Sequence, residues 1–306
     1  MLIIGENIQI LSPTVRAAIE ARDAAFIQNL AQRQAQAGAD FIDLNVGPQK
    51  KAGIEVVSWM VDTVQATTDK PLSFDTTNAP AIEAGLQKVK RQAMINSTSA
   101  DPDRMANVMP LVSKYKTKVI ALAMGKEGIP PTAEGRVELA MNVLMPAAQE
   151  WGVPMEDIYV DPLTLTVVGM QDHAMHTLNA VRFFKQVADP PPMTVVGLSN
   201  VSNQVPTEGR SLINRTFLVM LLSVGLDAAI LNPMDDEQNK WMRIIEKRDT
   251  STPLGKLLLT LYDRTAADEN LTPDDVDMKD LEQVGIWKTY QILTNKVIYA
   301  ESYLRI

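Results

Sequence analysis

Eight short apolar runs recur along this chain, and amphipathic stretches separate them. The runs are LIIGENI (2–8), FIDLNVG (41–47), PLSFDTT (71–77), AMINSTS (93–99), KVIALAMG (118–125), IYVDPL (158–163), TVVGLSN (194–200) and AAILNP (228–233). Each is near-continuously apolar, as expected of parallel strands covered by helices on both faces; a strand with one wet face would alternate. The stretches between, such as TVRAAIEARDAAFIQNLAQRQAQAG (14–38) and GRVELAMNVLMPAAQEWG (135–152), carry helical spacing. Ser12-Pro13 and Asp101-Pro102 each set a capping side chain before a proline at the first helical position, and Gly38 and Gly152 suit helix C-termini. Eight βα units within about 250 residues predict an α/β fold, a (β/α)8 TIM barrel. An open doubly wound sheet is the structural rival, but no G-x-G-x-x-G follows any run, so a dinucleotide fold has little support.

The pattern changes after residue 233. The expected division is a (β/α)8 barrel over 1–234 and a C-terminal helical extension over 235–306 that packs on the barrel, with helices around 238–247, 253–262 and 280–303. Residues 263–280 hold seven acids against two bases, a net −5 within a chain of net −8. The plain reading is a solvated surface loop; the sharper one is a docking surface or an inserted lid.

Several function classes drop out. There is no cysteine, which excludes disulfides, thiolate zinc sites, Cys nucleophiles and iron–sulfur clusters on this chain. The acidic balance argues against a nucleic-acid backbone as partner, and aromatics at 5% argue against stacking platforms. No run approaches the roughly 18 apolar residues of a bilayer span. The N-terminal run lacks a basic region and is interrupted by Glu6, so it reads as a strand and the expected compartment is the cytoplasm.

In a barrel of this kind the chemistry sits at the C-terminal ends of the strands. Those ends carry Glu6 and Asn7, Asp43 and Asn45, Asp75, Asn96, Asp161, Asn200 and Asn232; only the fifth run, ending at Met124, offers no such group, with Lys126 close behind. Asp and Asn also start turns and cap helices, which explains any one of them. Turn chemistry alone is a weaker account of seven strands in eight. A phosphate site would want basic residues after the last strands, yet the first base after the seventh run is Arg210, and the eighth is followed by Asp235, Asp236 and Glu237. The only histidines, His173 and His176, lie three apart at a helix start and read as helix-surface residues, so no metal is expected. What remains is a neutral, flat partner with several N–H donors and ring acceptors. A carboxylate accepts two parallel N–H bonds, and an amide both donates and accepts. Asp75, Asn96 and Asp161 together suit a fused amino- and oxo-substituted heterocycle, a pterin or a purine.

At this point LIIGENI, DLNVGP (43–48), DTTNAPAIEAGL (75–86), MINSTS (94–99), MEDIYVDPL (155–163), VVGLSNVS (195–202) and LINRTF (212–217) carry a resemblance. In order along 1–233 they resemble the pterin-binding methyltransferases, and among these the methyltetrahydrofolate:corrinoid/iron–sulfur protein methyltransferases. The resemblance implies that Asp75, Asn96 and Asp161 anchor the pterin. It implies that Asn200 is the catalytic amide, hydrogen-bonded to N5 of the folate as the methyl leaves. Gly197 and Ser199 would line the same wall, and Arg210 would serve the remote part of the folate.

The implied function is transfer of the N5-methyl group of methyltetrahydrofolate to Co(I) of a corrinoid (cobalamin). The chain has no D-x-H-x-x-G cobalamin-tail motif, QDHAMH (171–176) having the wrong order, so the corrinoid is expected on a separate partner protein. A homodimer is implied as well. The same residues would serve the reverse direction, from methylcorrinoid protein to tetrahydrofolate in a demethylation pathway. Dihydropteroate synthase shares the pterin barrel but carries Lys and Arg where this chain has Asn200 and Asn232. A folate binder without catalysis is the remaining alternative.

Overall fold

The computed structural model describes residues 1–47 and 53–304. Pro48, the last residue of the DLNVGP motif, lies outside the described residues. All eight expected strands form. β1 (Leu2–Gly5) leads through α1 (Pro13–Ala21) and α2 (Ala24–Gln36) to β2 (Phe41–Asn45), then α3 (Gly53–Gln65), β3 (Leu72–Asp75), α4 (Ala79–Leu86), β4 (Met94–Ser99) and α5 (Pro102–Tyr115). β5 (Lys118–Leu122) is followed by α6 (Ala133–Leu139) and α7 (Met145–Glu150), and β6 (Ile158–Asp161) by α8 (Val167–Met170) and α9 (Asp172–Phe184). β7 (Met193–Gly197), α10 (Thr207–Ser223) and β8 (Ala228–Leu231) complete the ring. Every strand pairs in parallel with its neighbours in sequence, and β8 pairs with β1, so the sheet closes into a barrel.

Local chemistry sets the helix ends. Ser12 and Asp101 cap α1 and α5 with a proline in the first turn of each, and Gly38 and Gly152 take positive φ (104° and 68°) after α2 and α7. The stretch 14–38 is two helices rather than one. Arg22 turns left-handed (φ 55°), and the Asp23 carboxylate then caps α2 through Phe26 N–H at 3.0 Å. The stretch 135–152 is interrupted by a π turn over Ala140–Leu144 just before Pro146, which supplies no N–H to the helical ladder.

Inside the barrel, Ile4, Phe41, Met94, Ile120, Tyr159, Val195 and Ala228 form a cluster of their own. The outer faces of the strands pack on the helices. After β8, α11 (Asp236–Lys247), α12 (Pro253–Ala266) and α13 (Leu281–Leu293) pack on or beside α10, and one apolar cluster runs from Phe217 and Leu221 through Trp241 and Leu258 to Ile286.

The single helix expected over 280–303 is broken. α13 ends at Leu293, Asn295 is left-handed (φ 56°), and only a short α14 (Glu301–Leu304) follows. The Gln171 side chain imposes the break. It donates to Asn295 Oδ1 and Val297 O, both at 2.8 Å, and accepts from Tyr299 N at 2.6 Å. The acidic segment 263–280 is a surface segment, yet several of its acids are engaged. Asp263 pairs with Arg248 at 2.6 Å, Asp275 pairs with Arg264 at 2.7 Å and caps Thr272, and Asp280 caps α13.

Candidate active site

Side chains alternate across a strand, so the inward cluster fixes which later residues also face the barrel axis. Two positions beyond Ile4 is Glu6; beyond Phe41 come Asp43 and then Asn45; beyond Met94, Asn96; beyond Tyr159, Asp161; beyond Val195, Gly197. The core that fills the bottom of the barrel thus places polar groups at its top. Register aligns three of them in a row, Asn45 beside Asp75 and Asp75 beside Asn96 on adjacent strands. Asn45 Nδ2 donates to Asp75, and Asn96 Nδ2 donates to Asp43 Oδ1 at 3.3 Å. On the facing wall, Asp161 is buried and its Oδ1 accepts from Leu163 N at 2.7 Å.

Four acids share this end, and burial dominates their ionisation. Desolvation pushes the carboxyl groups of Asp161 and Glu6 each up to about 7, opposed by the Leu163 N–H and the Ser199 hydroxyl respectively. Burial, and then the charges of Asp75 and Glu6, raise Asp43 well above the ordinary carboxylate range. Asp75 is raised by burial against the Asn45 hydrogen bond and the Arg104 charge. At neutral pH the mouth therefore holds fewer charges than its four acids suggest. Such a site suits a neutral ring that offers N–H donors to carboxylates and acceptors to amides.

The loop after β7 is a 3-10 turn, Leu198–Ser202, that carries Ser199 and Asn200. Ser199 donates its hydroxyl to Glu6. Asn200 is exposed, and a Cβ placed on Gly197 would lie 2.9 Å from Asn200 Nδ2, so the amide folds back over the end of β7. Arg210 lies on the helix that follows this turn. It is exposed on α10, and its Nε donates to Val205 O at 2.6 Å, securing the loop in front of its own helix. Asn232 Oδ1 accepts from Met234 N at 3.0 Å, which is turn chemistry. Lys126 faces Asp103 at 3.6 Å on the surface.

Residue-type reasoning named Glu6, Asp43 and Asn45 as strand ends without assigning them to the site. It missed two arginines altogether. Arg104 in α5 donates to the carbonyls of Thr76, Thr77 and Ser97 at 2.9–3.1 Å, behind Asp75 and Asn96. Arg136 in α6 donates to the carbonyls of Pro162 and Leu163, each at 3.0 Å, behind Asp161. His173 is a correction. It is half-buried instead of lying on the helix surface, and its Nδ1 meets Arg136 Nη2 at 2.7 Å. Among the described residues, no group of three or more His, Asp or Glu side chains is arranged to hold a metal ion, and no helix is long and apolar enough to cross a membrane.

The pterin binding enzyme family matches residues 14–232. A methylcorrinoid:tetrahydrofolate methyltransferase of Eubacterium limosum is 30% identical over 236 residues, 76% of this chain and 85% of that one. A methionine synthase of Mycobacterium tuberculosis is 28% identical over 279 residues; they cover 84% of this chain and 23% of that much longer protein. Among solved structures, a dihydropteroate synthase of Clostridium difficile with pteroic acid superposes with a TM-score of 0.60 at 19% identity, over 81% of this chain and 96% of that one. A dihydropteroate synthase of Xanthomonas albilineans with 4-aminobenzoic acid gives 0.58 at 18% identity, over 79% and 92%. These structural likenesses establish the barrel fold.

Proposed function

Because this chain belongs to the pterin binding enzyme family, we propose that it is a methyltransferase that exchanges a methyl group between N5 of a tetrahydrofolate and the cobalt of a corrinoid carried by a separate protein. The observation that carries the reading is the row Asn45, Asp75 and Asn96 facing Asp161 across the mouth, with the Asn200 amide folded over its rim. Asp75, Asn96 and Asp161 hold the pterin edge, and Gly197 and Ser199 leave the rim open beside it. The resemblance to the methyltransferases, together with the Eubacterium limosum relative, supports the methyl-transfer chemistry.

Transfer from methyltetrahydrofolate breaks the N5–CH3 bond. The bonding pair stays on N5, the Co(I) electron pair forms the new carbon–cobalt bond, and one proton is taken up at N5. A neutral tertiary amine is a poor leaving group, and a hydrogen bond that strengthens as the carbon–nitrogen bond breaks acts where it matters. Asn200 supplies that bond. Its amide donates to the N5 lone pair and can accept from N5–H once the proton has arrived. An amide is no proton donor. The acid at hand is Glu6, whose carboxyl reaches the same turn through the Ser199 hydroxyl.

The reverse reaction, from a methylcorrinoid protein to tetrahydrofolate, releases that proton, and the same groups serve it. The name of the Eubacterium limosum relative favours this direction as the second reading. Dihydropteroate synthase chemistry finds no basic pair here, since Asn200 and Asn232 follow strands seven and eight at the positions in question. The resemblance extends to a homodimer, which sedimentation tests, and the reading of the N-terminal run as a strand supports a cytoplasmic protein, which fractionation tests. The deciding experiment is anaerobic: purified protein, methyltetrahydrofolate and a Co(I) corrinoid, free or protein-bound, followed by the cobalt spectrum. Conversion to methyl-Co(III) supports the reading. Tight folate binding without conversion in either direction would replace it by a folate binder without turnover.

A further inference from the structure

We propose, resting on the folate reading above, that Arg136 is a positioning residue for the pterin site, which it serves by holding Asp161 in place through the backbone of Leu163. Arg136 belongs to the βα unit of β5, the one strand whose end offers no polar side chain to the mouth. Its side chain is fully buried, yet none of its hydrogen-bond partners is a carboxylate. Nε donates to Pro130 O at 3.1 Å, and Nη1 to Pro162 O and Leu163 O at 3.0 Å and to Thr177 Oγ1 at 3.1 Å; Nη2 meets His173 Nδ1 at 2.7 Å. A buried cation held by neutral oxygens and a ring nitrogen is a costly way to pack a helix, and an apolar side chain would fill the same space with less desolvation.

The geometry shows what the cation does there. Leu163 is left-handed (φ 69°), a conformation that strains a leucine. Its carbonyl faces two donors from outside the barrel, Arg136 Nη1 and the Thr177 hydroxyl at 2.8 Å, whose one hydrogen is shared with His173 O at 3.0 Å. Its N–H, at the other end of the same residue, donates to Asp161 Oδ1 at 2.7 Å. A released Leu163 would relax to negative φ and swing that N–H away from the carboxylate. The loop also reaches the Asn200 turn, because Thr166 donates to Asn203 O and Asn203 N donates to Asn200 O at 3.1 Å. The charged and titratable groups facing Arg136 are Asp161 at the end of β6 and Asp172 and His173 at the start of α9. The guanidinium favours ionised Asp161 against burial, while burial and the guanidinium together keep His173 a neutral acceptor.

The test is methyltetrahydrofolate binding by calorimetry across the neutral pH range, with thermal unfolding alongside. Arg136→Met keeps the stem and removes the donors. Its affinity is expected to fall at least about 10-fold, roughly the loss of one charge-assisted contact. Affinity is expected to rise with pH as Asp161 ionises, and in the variant that rise should shift to higher pH, because Asp161 loses a neighbouring cation. Adding Leu163→Gly to Arg136→Met should recover much of the affinity, since glycine takes the left-handed conformation unaided, but it should not restore the pH limb. A brace of helices alone would lower thermal stability without moving the pH limb or responding to the glycine. A folded Arg136→Met protein with unchanged affinity and pH limb overturns this proposal and leaves the folate reading intact. A native protein that binds no folate overturns both. Where Arg136→Met fails to fold, Thr177→Val decides, since it removes the second donor to Leu163 O: a loss of about 3-fold or more is expected, and an unchanged affinity sinks the idea.

Discussion

Glu6 at the end of β1 and Ser199 beyond β7 are joined by a hydrogen bond across 193 residues of sequence. β8 lies between their strands, so the bond crosses the mouth of the barrel at its closure. It sets an acid of raised pKa next to the turn that presents Asn200, and under the proposed function the two would divide the work at the rim, the amide orienting N5 and the carboxyl handling the proton.

Asn200→Ala should leave folate affinity within a few-fold of native and lower the methyl-transfer rate by about 10²–10³, the scale of losing one transition-state donor. Anaerobic stopped-flow spectroscopy of the cobalt, paired with equilibrium binding, separates the two quantities. A collapse of affinity with an intact rate would assign Asn200 to ground-state binding.

Gly197→Ala probes the same amide without touching it. The new Cβ would stand 2.9 Å from Asn200 Nδ2, closer than real contacts allow, and φ at Gly197 is negative (−80°), so the backbone is not strained. The amide must swing away. The expected outcome is a transfer rate down by about 10-fold or more with little change in thermal stability. A native rate would show that the amide need not lie over β7.

Asp75→Asn keeps shape and removes the paired acceptor. The Asn45 amide then faces another amide, and the ring loses a charge-assisted contact worth about 1.5–3 kcal/mol. Folate affinity should fall about 10–100-fold, measured by calorimetry, with a smaller effect on the rate at saturating folate.

Glu6→Gln links catalysis to stability with opposite signs. Glu6 is raised from an ordinary 4.5 to about 7 in the folded chain. The folded state therefore holds this proton more tightly than the unfolded one. The charge cost of folding is absent below about pH 4.5, grows as pH rises toward 7, and is constant above it. Gln removes that cost, so the variant should be more stable than the native protein above about pH 7, with the gain fading toward pH 4.5. The same change should slow methyl transfer from folate and flatten its pH profile. Denaturation at two pH values and single-turnover rates test the pair; a variant destabilised equally at both pH values would contradict it.

Gln171→Ala should free the segment after α13. It removes three hydrogen bonds to residues 295–299, each worth about 0.5–1.5 kcal/mol. Limited proteolysis should then cut near residues 295–300 while folate binding persists.

The strands and the strand-end acids were legible because both follow from short-range pattern: continuous apolar runs, then a polar residue where the chain leaves the sheet. The site was legible only in part. Parity from Ile4 and Phe41 leads directly to Glu6 and Asp43, but parity needs the inward face to be known first. Arg104 and Arg136 left no trace, since a side chain that reads backbone carbonyls demands no particular residue type at the other end. The break after α13 was hidden for a similar reason. Its cause, Gln171, lies 124 residues upstream of Asn295.

The inward row Asn45, Asp75 and Asn96 sits two positions beyond buried wall residues on its own strands. One residue gained or lost between Phe41 and Asn45, or between Met94 and Asn96, would turn an amide outward and an apolar side chain into the mouth. Insertions in the segments that follow the helices carry no such penalty. A lineage built on this barrel can therefore vary the length of those connections while the spacing within each strand stays fixed, and variation in length should gather in the former and be absent from the latter.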